Sequence, residues 1–316
     1  MEKLRIVFMG TPEFAVGILD ALCKNNYDVV GVITAADKPS GRGQQVKFSA
    51  VKEYALKNHL KLLQPVNLKE ETFLKELSSL DANLQVVVAF RMLPKLVWRM
   101  PKFGTFNLHA SLLPNYRGAA PINWAIINGE TKTGVTTFFI DEKIDTGAMI
   151  LQKEIAILEN ENAGSLHDRL MQIGCKAVLE TVQLIESNNV TTTIQVENQE
   201  LKTAHKLNKD NCKIDWQKSG KEIINLINGL SPYPCSWSFF DDVNFKDVTI
   251  KIYEAQFYPE QHDCKLGKVI LSKKDIKVAI HDGFVTLIEL QFPGKKKMKA
   301  LELLNGVHFS DKALVK

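Results

Sequence analysis

The chain has 316 residues, more than one ordinary domain, so two domains are expected. An apolar share of 45% beside 24% charged residues excludes a disordered chain, and no apolar run is long enough to span a membrane. The net charge of +4 is uneven: residues 203–316 carry 18 lysines, no arginine and 14 acids, while the rest is balanced. That is weak support for a polyanionic partner, because a charge run is usually a solvated face.

The N-terminal run Leu4 to Met9 reads as a buried first strand, too brief for a signal-peptide core. Gly10-Thr11-Pro12 turns the chain into a helix from Glu13 to about Lys24, with Phe14, Ile18 and Leu22 at helical spacing. Tyr27 to Thr34 is a second strand. Strand, turn, helix, strand implies a parallel sheet with a right-handed crossover. The turn is not Gly-x-Gly-x-x-Gly, so no dinucleotide site is expected. Ala35 to Lys47 is a polar, Gly-rich stretch carrying Lys38, Arg42 and Lys47. It is expected as a flexible basic loop, either a solvated excursion or a functional one.

Helices follow over Ser49 to His59 and Glu70 to Leu80. Leu84 to Ala89 is a continuous β-branched run, as expected of a central strand covered on both faces. Phe90 to Leu93 leaves that strand, and Pro94 starts a helix over Lys95 to Met100. Thr105 to His109 is the next strand. Asn107 and His109 are two apart, so an amide and an imidazole project from one face at its end. Taken alone, such a pair most often satisfies backbone groups. Ser111 to Pro114 turns the chain, and Pro121 sits near the start of a helix over Ala119 to Ile127. A strand ending in polar groups before a helix is where open α/β sheets place ligands.

Gly134 to Ile140 is a further strand, and Met149 to Ile155 makes a hairpin-like return after Asp141 to Gly147. Ser165 is expected to cap a long helix through Glu186. The expected division is a first domain over 1–187, a polar linker over 188–205, and a second domain over 206–316. The second domain opens with Ile214-Asp215-Trp216 and a helix over Gly220 to Leu230. Short strands over Ser236 to Phe240, Val248 to Tyr253, Lys268 to Leu271, Lys277 to Ile280 and Val285 to Leu290 suggest a small barrel. Lys295, Lys296, Lys297 and Lys299 crowd into one polar interruption. The five cysteines (Cys23, Cys175, Cys212, Cys235, Cys264) lack any Cys-x-x-Cys spacing. That argues against a disulfide framework and a zinc site and fits a reducing cytoplasm.

The string Gly104 to Gly118 closely resembles the signature of the folate-dependent formyltransferases: Asn-x-His, then Ser-Leu-Leu-Pro, an aromatic, a basic residue and Gly. Ile144-Asp145-Thr146-Gly147 matches the same family. The resemblance implies a Rossmann-like, mostly parallel sheet with helices on both faces, followed by a small OB-like C-terminal β-barrel. It implies catalytic roles for Asn107, His109 and Asp145, whereas Asp141 falls off the motif position. The chemistry suits those residue types. A formyl carbonyl attacked by an amine becomes tetrahedral, and donors aimed at its oxygen stabilise the transition state more than the ground state. A carboxylate orients the imidazole and helps carry the proton that the amine loses.

The resemblance further implies 10-formyltetrahydrofolate as co-substrate and no metal. Ser111, Leu112, Leu113 and Pro114 match the folate-proximal stretch, and Phe90, Arg91 and Met92 are expected walls. The commoner pattern has an aromatic-Gly and one extra residue before the Pro, so this wall departs from it. Gly10 to Ala15, Asp37 to Gly43, Arg117 to Pro121, Ile214 to Trp216 and Pro232 to Pro234 match members whose acceptor is the amino group of initiator methionyl-tRNA. On that resemblance the chain is cytoplasmic and monomeric, and Lys38, Arg42, Lys47, Lys295, Lys296 and Lys297 contact tRNA. A formyltransferase for amino-sugar nucleotides would share the catalytic domain. An RNA-binding protein on an inactive scaffold is a third reading, against which the intact Asn107, His109 and Asp145 argue.

Overall fold

The computed structural model describes residues 2–40, 45–196 and 200–316. The chain divides into two compact units. One comprises Met1–Gly118, Thr133–Ile155 and His167–Thr203; the other comprises Ala119–Lys132, Ala156–Leu166 and Ala204–Lys316.

In chain order the elements up to residue 118 are β1 (Arg5–Gly10), α1 (Glu13–Lys24), β2 (Asp28–Ile33), β3 (Lys38–Ser40), β4 (Gln45–Lys47), α2 (Ala50–Lys57), β5 (Leu62–Leu63), α3 (Glu71–Ser79), β6 (Leu84–Val88), α4 (Lys95–Trp98), β7 (Thr105–His109) and β8 (Arg117–Gly118). Then come α5 (Pro121–Ile127), β9 (Lys132–Phe139), β10 (Met149–Ala156) and α6 (Ala163–Glu186).

The first unit is built on a seven-stranded sheet in the order β10-β9-β7-β6-β1-β2-β5. β1 pairs in parallel with β2 and β6, and β6 in parallel with β7. β9 runs antiparallel to β7, so the sheet is mostly parallel with a reversed flank. β6 is buried at every position, as its Leu84, Val86, Val87 and Val88 require in a strand covered on both faces, and the one polar residue, Gln85, is partnered there by the Thr105 hydroxyl at 2.9 Å. On one face Val7, Met9, Ile33 and Val87 pack against Phe73, Leu77 and Val97 from α3 and α4. The expected loop over 35–47 contains a short antiparallel ribbon, with Lys38 paired to Lys47. A two-stranded ribbon rests on backbone hydrogen bonds and needs no apolar alternation, so the sequence carried no sign of it.

Ser165 does not cap α6. Its backbone N–H donates to Asn162 Oδ1 at 2.9 Å, which makes Asn162 the capping residue and places Ser165 in the first turn.

After β11 (Thr203–Ala204), the second unit continues with α7 (Gly220–Leu230), β12 (Ser236–Asp242), β13 (Phe245–Pro259), β14 (Val269–Leu271), β15 (Ile276–Ile280), β16 (Gly283–Gln291), β17 (Met298–Lys299), α8 (Ala300–Leu304) and β18 (Leu314–Val315). Its strands form an antiparallel order β14-β15-β16-β13-β12-β18, and a bridge from Lys268 to Leu314 nearly closes it into a barrel. Ile214, Trp216, Phe240, Ile250, Val278 and Leu287 fill it. Ser219 and Glu222 form a reciprocal capping box at the start of α7. β13 is far longer than the strand expected over Val248 to Tyr253. Irregular pairing around Glu254 breaks its alternation, and so hid its extent. All five cysteines are free, and burial pushes the Cys235 thiol up to about 12.

Candidate active site

Asn107 and His109 stand at the C-terminal end of β7, where the pleat sends both to one face. Asn107 pairs across the ladder with Val87 on β6 and Phe138 on β9. Its side chain is half-buried and makes no side-chain hydrogen bond among the described residues. Donor capacity is therefore held open there.

His109 is buried, with a side chain 8% exposed. Its Nε2 lies 2.7 Å from the Tyr116 carbonyl oxygen. A carbonyl can only accept, so Nε2 carries the hydrogen and the tautomer is fixed. Nδ1 is left facing Asp145, 3.8 Å from Oδ2. With Nε2–H given to the carbonyl, His109 can donate to a third group only from Nδ1 of the doubly protonated ring.

Asp145 lies in the turn between β9 and β10, with a left-handed φ of 55° that aspartate tolerates better than most residues. Its Oδ2 accepts from the Gly118 backbone N–H at 2.9 Å. Two neighbours shape that turn. Asp141 Oδ1 accepts from Lys143 N at 3.0 Å and from Thr146 Oγ1 at 2.8 Å, so its carboxylate closes the turn. Gly147 presses against β9: a Cβ there would stand 1.7 Å from the Phe139 carbonyl oxygen. Only glycine lets the chain pass.

The turn Ser111 to Pro114 is held from the flanking strands by residues the sequence did not single out. Thr136 Oγ1 donates to the Ser111 carbonyl at 2.7 Å and accepts from Leu113 N at 3.1 Å. Gln152 Nε2 donates to the Leu113 carbonyl at 2.8 Å. Ser111 Oγ donates to the Asn115 carbonyl at 2.7 Å. Ser111 and Leu113 are thus buried and partnered, while Leu112 and Pro114 are half-buried. Of the expected walls, Phe90 packs against the core below. Arg91 is exposed and donates to the carbonyls of Pro65 and Val66, and Met92 is 65% exposed.

At the base of the basic ribbon, Asp37 accepts from Lys52 Nζ and, at 2.9 Å, from Gln64 Nε2. The Lys52 ammonium, and then Gln64, hold the Asp37 carboxyl below its usual range. Thr34 and Ser49 join hydroxyls at 2.8 Å beside it. Arg42 lies outside the described residues, as does the side chain of Lys38; Lys47 is exposed. In the second unit Lys295 and Lys296 are exposed without ion pairs among the described residues. Lys297 is committed to Glu289 at 2.6 Å and stands over the Tyr253 ring. Among the described residues no group of three or more His, Cys, Asp or Glu could hold a metal ion. No described helix is long and apolar enough to cross a membrane.

Comparison with known proteins adds to this geometry. A family model described as formyl transferase matches residues 4–182, and one described as formyl transferase, C-terminal domain, matches residues 206–308. The chain is 70% identical over 315 residues to the methionyl-tRNA formyltransferase of Flavobacterium johnsoniae, covering 100% of each. It is 51% identical over 314 residues to that of Bacteroides thetaiotaomicron, covering 98% of each. Among solved structures it is similar in fold to WlaRD, a sugar 3N-formyl transferase crystallised with dTDP and 5-N-formyl-THF. The TM-score is 0.65 at 22% identity, over 94% of this chain and 100% of that one. HypX from Aquifex aeolicus in complex with tetrahydrofolic acid gives a TM-score of 0.64 at 18% identity, over 96% of this chain and 47% of that one.

Proposed function

The chain belongs to the formyl transferase family, and from that premise we propose that it moves the formyl group of 10-formyltetrahydrofolate onto the α-amino group of initiator methionyl-tRNA. The 70% identity to a methionyl-tRNA formyltransferase along the whole of both chains is what supports this acceptor over an amino sugar. The observation that carries the chemistry is the meeting of His109 Nδ1 and Asp145 Oδ2, 3.8 Å apart, at the strand end that also presents the Asn107 amide, unpartnered among the described residues.

In this reading the amine attacks the formyl carbon, and the carbonyl oxygen gains charge as the centre becomes tetrahedral. The Asn107 amide and the Nδ1–H of the His109 imidazolium donate to that oxygen, where they act more strongly on the transition state than on the substrate. The amine must lose a proton. Asp145, beside the imidazole, takes part in passing it on. Collapse breaks the bond from the formyl carbon to N10 of the folate, and N10 receives the proton. The new C–N bond and the released tetrahydrofolate balance the reaction. No covalent enzyme intermediate is needed.

The folate would lie along Leu112 and Pro114, with Phe90, Arg91 and Met92 as its outer wall. Residues 1–187 would do the chemistry. The lysine-rich 206–316 segment would hold tRNA phosphates, which gives affinity and position but little sequence reading. Lys38, Arg42 and Lys47 would reach the acceptor end. Single-turnover formylation of charged initiator tRNA tests the proposal. His109→Ala is expected to lose most of the rate, and Arg42→Ala to raise KM for tRNA but not for folate. Formyl transfer to a sugar amine and none to the tRNA would overturn the acceptor assignment.

A further inference from the structure

Beyond β10 and α6, the chain comes back across the candidate site at residues 193–195. Thr193 and Met149 exchange both backbone hydrogen bonds, at 2.8 and 2.9 Å, in an antiparallel bridge. Two residues on, Gln195 reaches the turn that carries Asp145 and Gly147. The side chain of Gln195 is buried and spends its hydrogen-bonding capacity on the site. Its Nε2 donates to the Asp145 carbonyl at 2.9 Å and to the Gly147 carbonyl at 2.8 Å. Its Oε1 accepts from Arg117 Nε at 3.0 Å and from Arg117 Nη2 at 2.8 Å.

The alternation here runs against the hydrophobic effect. Ile194 is 81% exposed and Val196 74% exposed, while the glutamine between them is 6% exposed. A slip of one residue would bury an apolar side chain and free the amide, since the pleat has period two. The observed register forgoes that burial, so the four hydrogen bonds of Gln195 must outweigh it. Those bonds join the two segments that hold the Asp145 carboxylate. One is its own turn, gripped at Asp145 and Gly147. The other is Arg117, whose neighbour Gly118 donates to Asp145 Oδ2.

We propose that Gln195 is a positioning residue for the formyl-transfer reaction, holding the Asp145 carboxylate in place against His109. The inference rests on the catalytic reading of Asp145 given above. Gln195 touches no reacting atom; it acts through the turn. A carboxylate let loose by about 1 Å loses its place in proton transfer, which costs on the order of 10²-fold in rate.

Four variants of the full chain test this: Gln195→Met, Gln195→Glu, Asp145→Ala and the double variant Asp145→Ala with Gln195→Met. Gln195→Met keeps the volume and removes every bond. Gln195→Glu keeps an acceptor for Arg117 but turns like charge on two carbonyls. The readouts are single-turnover rate, both KM values and the folded fraction by circular dichroism. Each Gln195 single variant is expected to lose about 10- to 100-fold in kcat, with both KM values within twofold. The double variant is expected to be no slower than Asp145→Ala. Additive losses in the double variant, or a rate loss equal to the unfolded fraction, would show a merely structural role and overturn the inference. So would wild-type rates in both Gln195 variants beside an inactive Asp145→Ala, leaving the reading of Asp145 intact. An Asp145→Ala enzyme at wild-type rate would overturn that reading and the inference with it.

Discussion

Replacing Asn107 by alanine should separate catalysis from stability. Asn107 sits inside β7, where the backbone ladder to Val87 and Phe138 does not depend on its side chain. The carboxamide is half-buried and unpartnered among the described residues, so truncation strands no donor or acceptor. The large penalties of mutagenesis come from orphaned buried partners and core cavities, and neither arises here. The expected loss of stability is therefore below about 1 kcal/mol, or roughly 2–4 °C in Tm at most. The transition state loses one donor to the developing oxyanion, which typically costs ~10²–10³ in kcat, about 3–4 kcal/mol. The catalytic effect exceeds the structural one about threefold. Asn107→Asp keeps the shape but removes the donor, and should show the same rate loss. Thermal unfolding and single-turnover formylation at saturating folate measure the two quantities on one preparation. A wild-type rate in either variant, or a rate loss that merely tracks the unfolded fraction, refutes the reasoning.

Further expectations follow from single contacts. Gly147→Ala forces a Cβ onto the Phe139 carbonyl, a backbone atom that cannot move aside. The turn must shift, at about 2–3 kcal/mol, and urea unfolding at the wild-type midpoint would contradict the close approach. The folded-state pKa of Asp37 is lowered by Lys52 and Gln64, so their contribution is complete above about pH 4 and lost as pH falls through that lower value. Acid-unfolding curves of wild type and Asp37→Asn should differ near neutrality and converge at low pH; curves separated by a constant amount would exclude this linkage. Lys295→Gln and Lys296→Gln should each lower the salt slope of tRNA binding by ~0.7–0.9. Lys297→Gln should lower it less, because Lys297 is paired with Glu289; three equal slopes would count against that distinction.

The local chemistry of the chain made several features readable in advance. The two-residue spacing of Asn107 and His109 guaranteed a shared face in any strand, because the pleat repeats every two residues. The β-branched run at Leu84 to Val88, with Gln85 its one polar residue, pointed to burial on both faces, and it is the strand beside β7. Asp145 could be told from Asp141 only by motif position. The contacts supply the physical difference: one carboxylate closes its own turn, and the other faces the imidazole.

Other features needed the third dimension. His109 and Asp145 are far apart in sequence, and their separation depends on how β9 pairs with β7 and where the following turn falls. The His109 tautomer follows from the Tyr116 carbonyl, which only the folded turn brings to Nε2. Thr136 and Gln152 look like ordinary strand residues until the flank of the sheet places them against the turn at Ser111 to Pro114. Gln195 sits in a polar stretch that reads as linker. Composition reports what a segment can bury, not which strand it lies against. A single antiparallel bridge set the register that turned this glutamine inward, onto the carbonyls of Asp145 and Gly147.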